Sequence, residues 1–175
     1  MNAASAIFGL QVMTNLLICA LVARWYVAPR LERLSVRDAL TPLLLLQATR
    51  VIGLVFIVDA VTDPTLPRPL AMTAALGDTL TAVLALVALA LLRRGLRGWR
   101  VTAWAMTVVG LVDLLVVAGW GIAIGFPNYE LGAAWFIPTV LGPIMIVGHV
   151  LVIRLLTRRD SLSAASETPA ASNAS

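Results

Sequence analysis

Five long apolar runs separated by short polar gaps organise the chain, at residues 5–26, 42–62, 70–92, 101–126 and 133–156. At about 1.5 Å of rise per residue, each run wound as a helix crosses the ~30 Å of hydrocarbon in a bilayer. Continuous apolarity at this length is not a strand pattern. The gaps hold the breakers and charges: Pro29, Arg30, Glu32, Arg33, Arg37 and Asp38, then Asp63, Pro64, Pro67, Arg68 and Pro69. The third gap carries Arg93, Arg94, Gly95, Arg97, Gly98, Trp99 and Arg100, and the fourth Pro127, Asn128, Tyr129 and Glu130. The pattern predicts an all-α fold, an integral membrane bundle of five transmembrane helices in one domain over residues 1–159. The Ser/Ala-rich residues 160–175 read as a disordered cytoplasmic tail.

Composition sharpens this. Of 175 residues 60% are apolar and 13% charged, and the mean hydropathy is +0.93. Such a chain cannot build the polar shell of a water-soluble domain. One cysteine, Cys19, and one histidine, His149, leave no intrachain disulfide, no Cys/His metal site and no bis-histidine haem, so no metal or cofactor is expected. A Gly-rich phosphate loop, HExxH and Gly-x-Ser-x-Gly are all missing.

The 13 basic residues are all arginine. Outside the spans nearly all lie in the first and third gaps and after the fifth run, with Arg68 alone opposite. The positive-inside rule then predicts an outside N-terminus and a cytoplasmic C-terminus. This accounts for the formal charge of +4 without a nucleic-acid partner; the expected partner is the lipid bilayer. Arg93, Arg94, Arg97 and Arg100 set topology, and the same cluster suits an acidic-lipid or protein docking site. The first run has no basic leader and no Ala-x-Ala cleavage site between its apolar stretch and Trp25, which predicts an uncleaved signal anchor. Trp25, Tyr26 and Trp99 at one boundary, and Trp120, Tyr129 and Trp135 at the other, distribute as an aromatic belt. Two signals are weaker: Val51 to Val55 resembles Val108 to Val112, as in a hairpin repeat, and Gly121 with Gly125 forms a GxxxG compatible with a homo-oligomer.

The chemistry lies in ionisable residues inside the spans, because a charge at mid-membrane costs about 2.5–3.5 kcal/mol or more. Counted from the helix centres, Arg50, Asp78 and Asp113 fall within roughly 5 Å of the midplane, with Asn15 at the same depth. Gln47 shares a helical face with Arg50. Asp78 lies on a small-residue face with Ala71, Ala74, Thr81, Ala82 and Ala85. Asp113 aligns with Met106, Gly110, Val117 and Trp120, and His149 aligns with Trp135, Pro138, Gly142 and Met145. Gln11 and Asn15 are the first helix's contribution. Pro138, Gly142 and Pro143 free carbonyls in the fifth helix. Arg50, Asp78, Asp113, His149, Asn15, Gln47, Trp120 and Trp135 are therefore the candidate binding residues of a common polar interior, with Arg50 in reach of Asp78 or Asp113.

The run from Ala48, Thr49 and Arg50 through Gly53 and Asp59, then Gly77-Asp78, Gly110 with Asp113, and Trp135-Phe136-Ile137-Pro138 to His149, resembles a group of small bacterial multi-pass membrane proteins without an assigned activity. The resemblance implies a bacterial inner membrane and supplies no substrate. Two acids against one arginine leave one formal negative charge. The leading expectation is a protein that binds or moves a small solute through this layer, with proton coupling through the aspartates. The alternatives are a membrane-embedded enzyme acting on a lipid or isoprenoid substrate by acid–base chemistry, and an accessory subunit whose buried charges only hold the helices together.

Overall fold

A computed structural model describes residues 2–158. Among them the chain is helical, with no strand, and five helices are long and apolar enough to cross a membrane. These are α1 (Ala3–Glu32), α2 (Val36–Ile57), α3 (Arg68–Arg93), α4 (Trp99–Ile124) and α5 (Gly132–Thr157). The tail expected to be disordered lies outside the described residues.

Helices α2 to α5 form the bundle. Helix α3 packs between α2 and α4, and α5 closes against both α2 and α4. Helix α1 rests mainly on α5 and keeps Leu10, Met13, Leu17 and Ile18 exposed on the side a bilayer would cover. The alanines of α3, from Ala71 through Ala74, Ala82 and Ala85 to Ala88, are buried, so the small-residue face allows close approach as its spacing predicts. Two apolar clusters fill the ends of the bundle. Leu40, Leu44, Leu92, Met106 and Val152 belong to the cluster at the arginine-rich end. Phe56, Leu70, Phe126 and Leu131 belong to the other.

Several boundaries differ from the expected ones, each for a local reason. Helix α1 continues to Glu32 instead of stopping near residue 26, because a π turn at Ala23–Val27 absorbs the hydrogen bond that Pro29 cannot donate. Helix α2 starts at Val36 rather than residue 42. Ser35 caps it, its Oγ accepting from the Asp38 amide at 3.2 Å and donating to the Asp38 carboxylate at 2.7 Å. Its far end stops at Ile57, before Asp59, where the backbone at Val58 turns extended. Gly125 ends α4 in the left-handed conformation at φ 68°, and Gly121 packs on Phe126, so both glycines of the GxxxG serve the end of the helix within the chain.

The last nine residues of α2, Thr49–Ile57, wind as a 3₁₀ helix, a length rarely sustained. The buried positions explain it. Arg50, Gly53 and Phe56 recur every third residue, and a three-fold helix keeps them in line where an α-helix would turn Phe56 about 120° away from Arg50. The Thr49 hydroxyl starts the change by donating to the Leu46 carbonyl at 2.7 Å.

Candidate functional site

The polar layer sits between the two apolar clusters, and Arg50 is its centre, with only 2% of its side chain exposed. The guanidinium Nε donates to Asp78 Oδ1 on α3 at 2.6 Å, and Nη2 donates to Asp113 Oδ2 on α4 at 2.6 Å. Nη1 donates to the Gly110 carbonyl at 3.1 Å and lies 3.3 Å from His149 Nε2 on α5. A guanidinium has only donors, so Nε2 of His149 accepts and the ring proton of the neutral imidazole resides on Nδ1. One arginine thereby ties α2 to all three of its bundle neighbours.

Four polar side chains about Arg50, those of Asp78, Asp113, His149 and Gln47, each rest on a glycine of the next helix. A methyl group added at Gly53 of α2 would run into the Asp78 carboxyl, with Cγ at 2.7 Å. One at Gly77 of α3 would collide with the Asp113 carboxyl. At Gly110 of α4 it would meet His149 Nε2 at 2.5 Å and the Thr81 methyl at 2.9 Å, and at Gly148 of α5 the Gln47 amide at 2.8 Å. The four seats close a ring: α3 leans on α2, α4 on α3, α5 on α4, and α2 on α5. Glycine is required here by close approach, since any Cβ would displace a carboxylate, an imidazole or an amide. These glycines escaped the sequence reading as functional positions, although a signal was present. Each of Arg50, Asp78, Asp113 and His149 has a glycine within three positions on its own helix, at Gly53, Gly77, Gly110 and Gly148.

The remaining candidates divide. Gln47 is fully buried at the layer, and its Nε2 donates to the Met145 carbonyl at 3.2 Å. Asn15 and Trp135 are not brought to Arg50. Pro143 has no N–H for the Thr139 carbonyl four residues earlier, and Asn15 Nδ2 donates to that carbonyl at 2.8 Å. One turn along α1, Gln11 Oε1 accepts from Trp135 Nε1 at 2.7 Å, while Phe8 meets the Trp135 ring edge-on at 5.1 Å. These contacts sew α1 to α5. Trp120 stands exposed on α4, seven residues from Asp113, and does not roof the layer. Asp59 lies outside the helices in an exposed pair with Arg68 at 3.7 Å, an interaction worth little.

Three buried polar atoms, on α2, α4 and α5, have no partner among the described residues: Gln47 Oε1, Thr107 Oγ1, one turn before Gly110, and His149 Nδ1. An unpartnered buried donor or acceptor costs about 1–3 kcal/mol, which a water or polar solute would recover. Two small recesses lie at the ends of the molecule, one beside Asp59 and Asp63 and the other between α1 and α5, while at the layer Arg50, Gln47 and His149 are almost wholly buried.

Fold and site together define an all-helical protein with five helices long and apolar enough to cross a membrane and a buried arginine–carboxylate–histidine layer among them. The chain belongs to a family described as a domain of unknown function, DUF8737, which covers residues 7–157 and so includes all five helices. No curated protein and no solved structure matches it.

Proposed function

We propose that this protein resides in a bacterial inner membrane, N-terminus outside and C-terminus cytoplasmic, and binds or moves a small solute with a proton as coupling charge. The orientation rests on arginine placement: Arg24, Arg30, Arg33 and Arg37 gather with Arg93, Arg94, Arg97, Arg100 and Arg158 toward one end, against Arg68 at the other. The observation that carries the functional reading is the charge count at Arg50. Two carboxylates at 2.6 Å face one guanidinium, and the adjacent imidazole accepts from it, leaving one formal negative charge in a largely buried layer. A proton or a cationic solute balances it. The three unpartnered atoms at Gln47, Thr107 and His149 add places for such a guest to bond. The nine-residue 3₁₀ stretch supplies the means of opening, because relaxing it to an α-helix would shorten α2 by about 4–5 Å and rotate Phe56 relative to Arg50.

The test is proton movement in proteoliposomes containing a trapped pH-sensitive dye. Wild-type protein should change the internal pH when gradients of small amines, amino acids or monovalent cations are imposed, and folded Asp113→Asn protein should not. Equal traces from wild-type, Asp113→Asn and protein-free vesicles would overturn the reading.

The near-complete burial of Arg50, Gln47 and His149 favours a second reading, in which the ring of glycine seats is a permanent clamp in an accessory subunit. The two readings part on whether the charges can be replaced by apolar groups without loss of activity.

A further inference from the structure

At the arginine-rich end, the seam between α1 and α5 opens into a recess of about 80 Å³ that the Arg50 layer does not reach. Its floor is apolar, formed by Ala28 and Leu31 of α1 and by Leu151 and Leu155 of α5. Its rim is charged. Arg154 stands one turn beyond Leu151 on the same face of α5, Arg158 follows in extended backbone just past the helix end, and Glu32 stands opposite at the end of α1.

The rim's cations are incompletely satisfied. Arg154 Nη2 reaches Glu32 Oε1 at 3.2 Å, but both side chains are more than half exposed, so this pair is weak. Arg158 Nη2 meets the Glu32 carbonyl at 3.4 Å, while its Nη1 is buried without a partner among the described residues. Around the recess two arginines, Arg154 and Arg158, stand against the one carboxylate of Glu32. Apolar floor, cationic rim and position at the end of two membrane-length helices describe one kind of occupant.

We infer that this recess is a binding site for an anionic phospholipid, its phosphate held by Arg154 and Arg158 and the upper part of an acyl chain laid along Ala28, Leu31, Leu151 and Leu155. A zwitterionic lipid brings its own ammonium toward Arg154 and gains less. Glu32 is the competitor that a phosphate must displace from Arg154. The lipid would complete the α1–α5 seam at the end that Gln11 and Asn15 do not reach.

Thermal unfolding of the detergent-solubilised full chain, titrated with phosphatidylglycerol, phosphatidylcholine or inorganic phosphate, tests this. Phosphatidylglycerol should raise the midpoint by several degrees, and the other two should not. Arg154→Gln with Arg158→Gln should weaken the lipid effect by on the order of tenfold in half-saturating concentration. Glu32→Gln should strengthen it, and Arg93→Gln with Arg94→Gln, in the α3–α4 turn, should leave it unchanged. An equal response to phosphatidylcholine or to free phosphate, or equal loss with the Arg93/Arg94 pair, would show diffuse attraction and overturn the site. Should the Arg154/Arg158 variant not fold, a photoreactive phosphatidylglycerol decides on wild-type protein: crosslinks in Ala28–Glu32 and residues 151–158 support the site, and crosslinks spread evenly over the surface refute it.

Discussion

Polar groups hold helices together in two regions of this molecule, and they do so differently. The α1–α5 seam uses neutral groups in simple pairs: Asn15 on the carbonyl that Pro143 leaves free, and Gln11 on the Trp135 indole. The Arg50 layer uses ionised groups, seats Asp78, Asp113, His149 and Gln47 against glycines of neighbouring helices, and still leaves buried atoms of Gln47 and His149 without partners among the described residues. A contact that only joins helices needs no net charge and no unpaired atoms. The seam meets that description and the layer does not, which is why the layer, and not the seam, is the candidate site.

The comparison breaks most sharply at Arg50. Arg50→Ala leaves Asp78 and Asp113 buried together without their cation, and should destabilise by about 3–5 kcal/mol. It is read as loss of a monodisperse peak in size-exclusion chromatography. Replacing all three groups, with Arg50→Met, Asp78→Leu and Asp113→Leu, should restore the peak, because no unpaired charge remains.

Glycine substitutions sharpen the contrast. Gly77→Ala drives a methyl group into the Asp113 carboxyl and should cost about 1–3 kcal/mol in detergent unfolding. Gly9→Ala on α1 meets nothing within 4 Å and should change stability by less than about 1 kcal/mol. Equal effects would mean that the ring of seats carries no special packing.

Within the seam, Asn15→Ala loses one interhelical hydrogen bond and should cost about 1 kcal/mol, with faster protease cleavage after residue 33 as α1 loosens. Activity of the Arg50 layer should survive this change.

The smallest effect lies in the loops at the end opposite the arginines. The Thr65 hydroxyl beside Asp63, helped by the Glu130 and Thr65 amides, holds its carboxyl below the ordinary value of 3.8. A depressed folded value means that the contact stabilises above the unfolded value and is lost as pH falls through the folded one. Hydrogen exchange at the Glu130 amide should accelerate only below about pH 4 and should be fast at all pH values in Asp63→Ala.

Much of this was legible in the sequence. Five apolar runs give five helices, and the depth count brings Arg50, Asp78 and Asp113 to one layer, since helical rise converts sequence position directly into depth. Helical phase is less legible, because it depends on regular winding. The 3₁₀ stretch at Thr49–Ile57 and the π turns at Ala23–Val27 and Ile137–Leu141 each shift it. Asn15 and Trp135 share the layer's expected interior by α-helical counting, yet they meet α1–α5 contacts instead. The glycine seats depend on which helix lies next to which, information that no single helix contains. The Ser35 cap and the Gly125 terminus rest on local chemistry, yet apolar runs alone put the start of the second helix at residue 42 and the end of the fourth at 126, because a run marks burial in lipid and not the hydrogen bonds that end a helix.

The central claim is that the Arg50 layer takes up a charge, rather than serving only as a clamp. Proton flux measured in proteoliposomes made with the apolar Arg50→Met, Asp78→Leu, Asp113→Leu protein, verified as folded by chromatography, tests it most directly. The account predicts a folded protein whose flux has fallen to that of empty vesicles. Flux at the wild-type rate would contradict it and leave the clamp.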